Sequence, residues 1–221
     1  MLHTASPYNR VVTHPVQARK LAEADFPTRW GKFRILGYES AEAAGESARE
    51  TAVALIMGDL GSAENDARPP LVRIHSQCLT GDVFGSLRCD CRQQLEMALA
   101  MIAAAGVGVL VYEQQEGRGI GLMAKLQAYE LQDEGLDTVE ANVQLGFAAD
   151  EREYGLPVAI LQALGVRSCR LLSNNPEKVR QLEQAGIRVV ERVPCQPRIS
   201  KTSRAYLQTK KTKMGHILDG V

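Results

Sequence analysis

Short apolar runs alternate with segments of helical period along most of this chain. The runs have the length and composition of β-strands, and we predict strands at residues 26–38, 52–57, 71–75, 107–112, 170–172 and 188–192. Helices are predicted where apolar residues recur every three or four positions before a glycine, at residues 92–105, 122–134, 157–164 and 176–185. Strands that alternate with helices predict an α/β fold whose mixed sheet carries helices on both faces and is antiparallel in its first third.

The two ends of the chain lack this pattern. Residues 1–21 mix prolines with polar residues without a period, so we predict a mobile N-terminal arm there. Residues 22–194 carry the predicted strands and helices and form a single main domain. Residues 195–221 are a basic C-terminal tail whose structure the pattern does not predict.

Composition is that of an ordinary globular protein, with 45% hydrophobic and 24% charged residues among 221. The charge is unevenly divided, because residues 1–150 carry 13 Lys and Arg against 20 Asp and Glu, whereas residues 151–221 carry 13 against 6. A domain that binds duplex nucleic acid usually has a stronger positive balance, so we predict no nucleic-acid partner. The basic second half indicates a small anionic ligand, or contact with an acidic surface of a second copy.

No apolar run is long enough to span a bilayer, and the first 20 residues lack the apolar core of a signal peptide. We therefore predict no membrane partner and a cytoplasmic location. The five cysteines are an odd number, and three of them are clustered, which favours a reducing compartment over a disulfide framework.

Those three clustered residues, Cys78, Cys89 and Cys91, predict a zinc site. Three protein ligands leave a fourth position for water, as in catalytic zinc sites, whereas His75 as a fourth ligand would make the site structural. The alternative without a metal is three small buried residues around a glycine-rich turn.

Two further features indicate phosphate binding. Residues 116–121 contain three glycines between a predicted strand and a predicted helix, a place where free backbone N–H groups can hold phosphate, although a simple tight turn has the same pattern. Lys178 lies in the first turn of a predicted helix, where its charge opposes the helix dipole unless an anion is present. Ser173 and Asn174 would complete that site; alternatively, Lys178 points into solvent.

Other polar residues allow two interpretations each. Asp150 and Arg152 would face one another in a loop or strand, and such pairs are also common on surfaces. Tyr129 shares a predicted helix face with Leu122 and Leu126, as a core tyrosine would. Cations that fall beside glycine turns or strand ends would suit a polyphosphate ligand, namely Arg73, Arg88, Arg118, Arg152 and Lys178.

Together these motifs resemble the GTP cyclohydrolase II family over about residues 22–219. The resemblance rests on residues 73–82 (RIHSQCLTGD) with Cys89 and Cys91, 115–122 (QEGRGIGL), 137–142 (DTVEAN), 146–152 (GFAADER) and 172–176 (LSNNP). It implies that residues 22–194 are a catalytic domain of that type and that the protein is a homodimer.

The resemblance also implies an activity. GTP would be hydrolysed to formate, pyrophosphate and 2,5-diamino-6-(5-phospho-ribosylamino)pyrimidin-4(3H)-one, which is the first committed step of riboflavin biosynthesis. One Zn²⁺ per chain would supply a water whose pKa falls from 15.7 to about 7 for attack at C8 of guanine. Mg²⁺ is implied with the triphosphate.

Roles follow residue by residue from the same resemblance. It implies zinc ligands at Cys78, Cys89 and Cys91, and GTP contacts at Arg73, Ile74, His75, Ser76, Gln77, Gln94, Glu116, Gly117, Arg118, Thr138, Ser173 and Lys178. Glu116 is the candidate for guanine N1–H and the amino group, because a carboxylate accepts two parallel donors. Tyr129 is implied to be catalytic, Arg152 a nucleophile on the α-phosphorus and Asp150 its proton acceptor. Guanidinium is a poor nucleophile, so an electrostatic clamp is the second interpretation of Arg152.

Two positions depart from the family pattern, which usually has Glu in place of Gln77 and Thr in place of Ser173. The first change removes a carboxylate beside the zinc ligands, whereas the second keeps the hydroxyl. Two rival functions stay open: a GTP-binding regulator or degenerate paralogue with a structural zinc, and a paralogue that stops after imidazole ring opening. A nucleobase deaminase is disfavoured because its His-x-Glu and Pro-Cys-x-x-Cys signature is absent.

Overall fold

The computed structural model describes residues 16–41, 50–61, 68–199 and 203–220. These residues form a mixed sheet of seven strands. The strands are β1 (Gln17–Thr28), β2 (Gly31–Ala41), β3 (Thr51–Met57), β4 (Leu71–Ser76), β5 (Gly108–Glu113), β6 (Ser168–Leu172) and β7 (Arg188–Val193). Their order is β1-β2-β3-β5-β4-β6-β7. Pairing is antiparallel from β1 to β5 and parallel from β5 through β4 and β6 to β7.

Six helices accompany the sheet in the described ranges. They are α1 (Cys91–Ala105), α2 (Leu122–Asp133), α3 (Thr138–Gln144), α4 (Gly155–Ala163), α5 (Pro176–Gln184) and α6 (Arg204–Met214). A π-helical turn covers Leu79–Val83, and a 3-10 turn covers Glu116–Gly119. None of these helices has the length and apolarity needed to cross a bilayer.

Each face of the sheet carries its own hydrophobic core. On one face, Leu99 and Ile102 of α1 pack with Leu110 of β5. On the other face, Ile160 of α4 and Leu182 of α5 are buried in a second core. Helices therefore cover both faces, and the predicted α/β class with an antiparallel first third is confirmed.

The N-terminal region differs from the prediction. Residues 17–21, assigned above to a mobile arm, belong to β1, which pairs with β2 along its whole length. The predicted strand 26–38 is two strands, because Thr28 accepts the Trp30 amide through its hydroxyl at 3.1 Å and the chain reverses before Gly31. Both sides of that turn alternate apolar and polar residues, so the pattern alone did not reveal it. Residues 1–15 of the predicted arm lie outside the described residues.

One helical boundary and two whole helices also needed the structure. Helix α4 begins at Gly155, two residues before the predicted start at Pro157, and proline is tolerated there because N–H groups of a first turn have no intrahelical acceptor. Helix α3 was not predicted, although Asp137 and Glu140 form a capping box at its start. The C-terminal tail contains α6, which ends at Gly215 in a left-handed conformation.

The parallel part of the sheet positions the site. Strands β4, β5 and β6 run in the same direction, so their carboxyl ends meet at one edge. Three connections leave that edge: the turn Leu79–Val83 after β4, the turn Glu116–Gly119 after β5, and residues 173–175 between β6 and α5. Every motif of the resemblance except 137–142 and 146–152 is thereby brought to one place.

Candidate active site

One cavity of about 1090 Å³, its open mouth included, lies at this edge of the sheet. All predicted site residues line it except Ile74 and Asp150. Ile74 is fully buried in β4, and only its carbonyl oxygen reaches the site, where it accepts a hydrogen bond from Lys178. Asp150 lies behind the cavity wall and pairs with Arg152.

The three clustered cysteines converge at one end of the cavity. Their sulfur atoms all lie within 4.8 Å of one another, and those of Cys78 and Cys89 are 3.7 Å apart. Thiolates around a tetrahedral zinc at 2.3 Å are about 3.8 Å apart, so the spacing suits an ion of that size. Gly81 allows this approach, because a Cβ there would lie 2.8 Å from the Cys89 sulfur and 3.0 Å from that of Cys78.

His75 does not join this cluster. Its Nε2 lies 3.3 Å from the Asp82 carboxylate, and its ring stacks on Tyr112. Burial lowers the pKa of His75, which keeps the imidazole neutral at pH 7. Within the described ranges no His, Asp or Glu lies close enough to the three sulfur atoms to act as a fourth metal ligand. The interpretation of His75 as that ligand is therefore wrong. Three thiols with an open position are the donor set of a catalytic rather than a closed zinc site.

Lys125 is a site residue that sequence reasoning missed. Its ammonium donates to Glu116 Oε1 at 2.6 Å and lies 3.2 Å from the Cys78 sulfur. Glu116 Oε2 accepts the Leu79 amide at 2.6 Å, so this carboxylate joins the turns after β4 and β5. Lys125 precedes Tyr129 by four residues on α2, and that spacing was the signal that could have found it.

Tyr129 faces the thiol cluster rather than a core. Its hydroxyl is 3.2 Å from Thr80 Oγ1, which is itself 3.7 Å from the Cys78 sulfur. Arg88 lies over the ring, with its Cζ 4.7 Å from the centroid. Leu126, on the same helix face, is 40% exposed, so the core interpretation of this face is wrong. Burial raises the pKa of Tyr129, and its hydroxyl keeps its proton at pH 7.

The turn after β5 has unusual backbone geometry. Gly117 and Arg118 both have positive φ, 62° and 63°, and Arg118 is the one non-glycine residue in the described ranges with that conformation. Gly119 packs against the Glu151 carbonyl, where a Cβ would come within 2.7 Å. Both terminal nitrogens of Arg118 are buried, and neither has a hydrogen-bond partner among the described residues. Such strain at a cavity wall is typical of ligand-binding loops, and here it holds a guanidinium with free donors.

Asp150 and Arg152 lie in a loop, where they do face one another as predicted for that conformation. Arg152 Nε donates to Asp150 Oδ1 at 2.7 Å, and a second guanidinium nitrogen pairs with Oδ2. Burial by itself lowers the pKa of Arg152, but Tyr154, Asp150 and Glu113 together raise this pKa above its ordinary value. The guanidinium therefore stays protonated.

Lys178 is buried, with 4% of its surface exposed, so the solvent-facing alternative is wrong. Its ammonium donates to the Ile74 carbonyl oxygen at 2.8 Å, and no carboxylate in the described ranges lies within ion-pair distance. Burial, together with repulsion from Arg152 and Arg73, lowers the pKa of Lys178 well below its ordinary value. An anion in the cavity would stabilise the charged form of Lys178.

The two positions that depart from the family pattern are both at the cavity. Ser173 is buried, and its hydroxyl accepts the Asn175 amide at 3.0 Å, which shapes the turn into α5. Gln77 donates its backbone amide to the Glu113 carbonyl oxygen at 2.8 Å, and its side chain borders the cavity next to Cys78.

The cavity lining is strongly cationic. Among the residues that the structure describes, it contains one carboxylate, Glu116, and seven cations: Arg73, Arg88, Arg118, Lys125, Arg152, Lys178 and Lys210. The last of these comes from α6, which also supplies Tyr206, and His216 follows from the segment after that helix. Sequence reasoning assigned none of these three to the site. The tail residues 209–210 (TK) and 213–216 (KMGH) also match the family resemblance, but without an implied role, and Tyr206 was not singled out. The four-residue spacing of Tyr206 and Lys210 was the available signal.

Comparison with known proteins agrees with this geometry. The family model for GTP cyclohydrolase II matches residues 19–194. The chain belongs to the GTP cyclohydrolase II family. It is 53% identical over 205 residues to the GTP cyclohydrolase-2 of Cronobacter sakazakii, covering 93% of this chain and 100% of that protein. It is also 52% identical over 200 residues to the riboflavin biosynthesis protein RibBA of Chlorobium phaeovibrioides, covering 90% of this chain and 47% of that protein.

A further relative, RibBA of Bacillus cereus, is 50% identical over 206 residues, which cover 93% of this chain and 50% of that protein. This chain thus spans about half the length of the RibBA relatives and the full length of the Cronobacter GTP cyclohydrolase-2. The resemblance to the GTP cyclohydrolase II family drawn from the sequence motifs is confirmed.

Proposed function

We propose that this GTP cyclohydrolase II family member hydrolyses GTP to formate, pyrophosphate and 2,5-diamino-6-(5-phospho-ribosylamino)pyrimidin-4(3H)-one for riboflavin biosynthesis. One observation carries the proposal: a single cavity combines three convergent thiols with seven cations and one carboxylate. A metal site would serve the chemistry at the base, and the excess of cations suits a triphosphate.

Cys78, Cys89 and Cys91 would hold one Zn²⁺, because the sulfur spacing and the open fourth position fit that ion. When bound, zinc supplies a water of lowered pKa for hydrolysis at C8 of guanine. Hydrogen bonds with the Cys89 and Cys91 thiols, assisted by the nearby charge of Lys125, lower the pKa of Cys78, and a thiolate is the form that binds metal.

The guanine base would lie between the thiol cluster and α2. Glu116 would accept guanine N1–H and the amino group. Its Oε2 accepts the Leu79 amide and keeps one lone pair, whereas Oε1 accepts from both Lys125 and the Gly117 amide, so the second guanine donor would replace one of these two bonds. The Tyr129 hydroxyl, linked to the cysteine cluster through Thr80, would give a proton to the ring nitrogen as the imidazole opens. Its raised pKa keeps the proton available at pH 7.

The triphosphate would lie along the cations at the carboxyl edge of the sheet. Arg73 is held by the Leu172 carbonyl oxygen at 2.9 Å and by Gln94 at 2.6 Å, so its position is set before a ligand binds. Lys178 lies beside it without a carboxylate partner in the described ranges. These two residues, with Ser173 and the first turn of α5, would bind phosphate oxygens.

Arg152 would act as an electrostatic clamp on the α-phosphate rather than as a nucleophile. Its guanidinium is paired with Asp150 through two nitrogens and stays protonated, so it has no free lone pair for attack. A fixed cation would stabilise the charge that develops as pyrophosphate leaves. Asp150 would hold the guanidinium in position.

The proposal includes Mg²⁺ on the triphosphate, a homodimer and a cytoplasmic location, all carried from the family resemblance. Mg²⁺ bound to phosphate oxygens would be tested by its effect on pyrophosphate release. The homodimer would be tested by light scattering on the purified protein.

The test of the proposed function is a double product assay. The zinc-loaded protein is incubated with GTP and Mg²⁺, and formate and pyrophosphate are measured separately. Equal amounts of both products are expected. Consumption of GTP without formate release would instead identify a paralogue that stops after ring opening, because the opened product still carries C8 as a formyl group. GTP binding without consumption of GTP would identify a regulator with a structural zinc.

A further inference from the structure

The C-terminal segment formed by α6 and the residues up to His216 lies against the cavity and is attached on both of its sides. On one side, Lys213 pairs with Asp137 and with Glu140, at the start of α3, the latter at 2.9 Å. On the other side, the Ile217 amide donates to the Asn174 carbonyl oxygen at 2.9 Å. This attachment spans the cavity from α3 to the turn before α5.

The same segment is also anchored in the fold. Leu207 and Leu218 are buried, at 1% and 4% exposure. The Asn174 side chain bonds the backbone of Cys195 in both directions, at 2.8 and 3.0 Å, so the turn that holds Ile217 is itself fixed. The segment is therefore a fixed part of the cavity wall, although it lies beyond the residues that the family model matches.

Lys210 is the cation that this wall presents to the cavity. Only 11% of its side chain is exposed, and its ammonium lies 4.3 Å from the centroid of the Tyr206 ring. Its ion pair with Asp90 Oδ1 is long, at 3.4 Å, and uses only one of the three N–H donors of the ammonium. The Lys210 ammonium thus keeps donors for a further partner.

Arg118, in the turn after β5, also lies near the Tyr206 ring. Its Cζ lies 5.6 Å from the Tyr206 centroid, and both of its terminal nitrogens are buried without a hydrogen-bond partner in the part of the chain that the structure describes. Two cations beside one ring repel each other, and the buried terminal nitrogens of Arg118 are costly to leave without an acceptor. An anion that accepts from both would remove the repulsion and satisfy the donors.

These cations belong to one group. Lys210 and Arg118 line the same cavity as Lys178 and Arg152, and His216 lines it too. Burial and the charges of these four residues lower the pKa of His216 to about 2, so the imidazole is neutral. Lys210 and Arg118 therefore adjoin the cations proposed above for the phosphates, rather than forming a separate patch.

We propose that Lys210 and Arg118, positioned by Tyr206, bind a phosphate group of the nucleotide, which makes the C-terminal segment 204–216 a wall of the substrate site. This inference rests on the proposed function, because it assigns a part of the same GTP site. Lys210 is then a substrate-binding residue and Tyr206 a positioning residue.

The test compares two ligands on three variants. A GTP analogue with a methylene group between the α- and β-phosphorus atoms reports binding with the phosphates, and guanosine reports binding without them. Lys210→Ala should weaken the affinity for the analogue about tenfold or more and leave that for guanosine unchanged. Lys210→Arg should restore most of it, and Lys211→Ala, on the exposed side of the same helix, should bind both ligands as the parent does.

Hydrogen exchange provides a second measurement that does not depend on a variant. Amides of residues 204–216 should exchange more slowly when the analogue is bound, because the wall then gains a partner. Equal analogue affinity in the parent and Lys210→Ala, an equal loss for guanosine, or unchanged exchange in the segment would each overturn the inference. A parent protein that does not bind the analogue at all would reject the proposed function itself, and the inference with it.

Discussion

Replacing Lys178 with methionine tests whether its buried charge serves ligand binding at the cost of stability. Methionine keeps the length of the side chain and removes the ammonium. The change deletes one hydrogen bond to the Ile74 carbonyl oxygen, worth about 0.5–1.5 kcal/mol. It also removes a buried charge that has no carboxylate within ion-pair distance in the described ranges and that Glu113 and Asp150 offset only from farther away. We expect the stabilisation from removing the buried charge to exceed the loss of the hydrogen bond by about 1 kcal/mol. This difference would raise Tm by about 2–4 °C in a chain of this size.

The stability difference should depend on pH in a defined direction. The pKa of Lys178 is lowered in the folded protein, so the unfolded chain binds more protons in the window between that pKa and about 10.4. The parent protein therefore gains stability relative to Lys178→Met as the pH rises through this window. The advantage of the variant should be greatest at low pH and should shrink towards pH 10.

Ligand binding should change in the opposite sense. A lost charge-assisted hydrogen bond to phosphate costs about 1.5–3 kcal/mol, so Kd for the methylene-bridged GTP analogue should rise roughly ten- to 150-fold. The matched control is Arg180→Met on the same helix, where the cation is exposed and pairs with Glu177. Calorimetric titration measures Kd, and thermal unfolding measures Tm. A variant with lower Tm and unchanged Kd would show that Lys178 is a structural lysine and would refute the reasoning.

Two further substitutions address the other end of the cavity. Cys89→Ser should abolish metal binding and formate release while circular dichroism stays that of the parent; Cys195→Ser, which changes another buried free cysteine, should retain the metal. Loss of the fold on Cys89→Ser would indicate a structural zinc site, and metal loss with unchanged formate release would exclude the catalytic one. Tyr129→Phe should lower formate release about 100-fold or more, affect pyrophosphate release less, and cost no more than the single hydrogen bond to Thr80, about 0.5–1.5 kcal/mol. Formate release at the parent rate would show that the Tyr129 hydroxyl has no role in the chemistry.

Much of the architecture followed from short-range patterns in the sequence. The apolar run of β5 predicted a strand buried on both faces, and Leu99 and Ile102 predicted the face of α1 that packs on it, because burial imposes a period on neighbouring residues. The three cysteines predicted a metal site for a similar reason, since few other roles favour clustered thiols in one short segment. These features depend on residues close to one another in the chain.

Tertiary structure decided the questions that depend on distant residues. Whether His75 was a fourth ligand depended on Asp82 and Tyr112, and whether Lys178 was exposed depended on β4, about 100 residues earlier. The pattern of the tail did not predict α6, and the place of that helix at the cavity emerges where Lys210 contacts Asp90 and Tyr206. A sequence thus determines which residues can form an element or bind a ligand, whereas burial and charge neighbours are set by packing between elements, which no local pattern encodes.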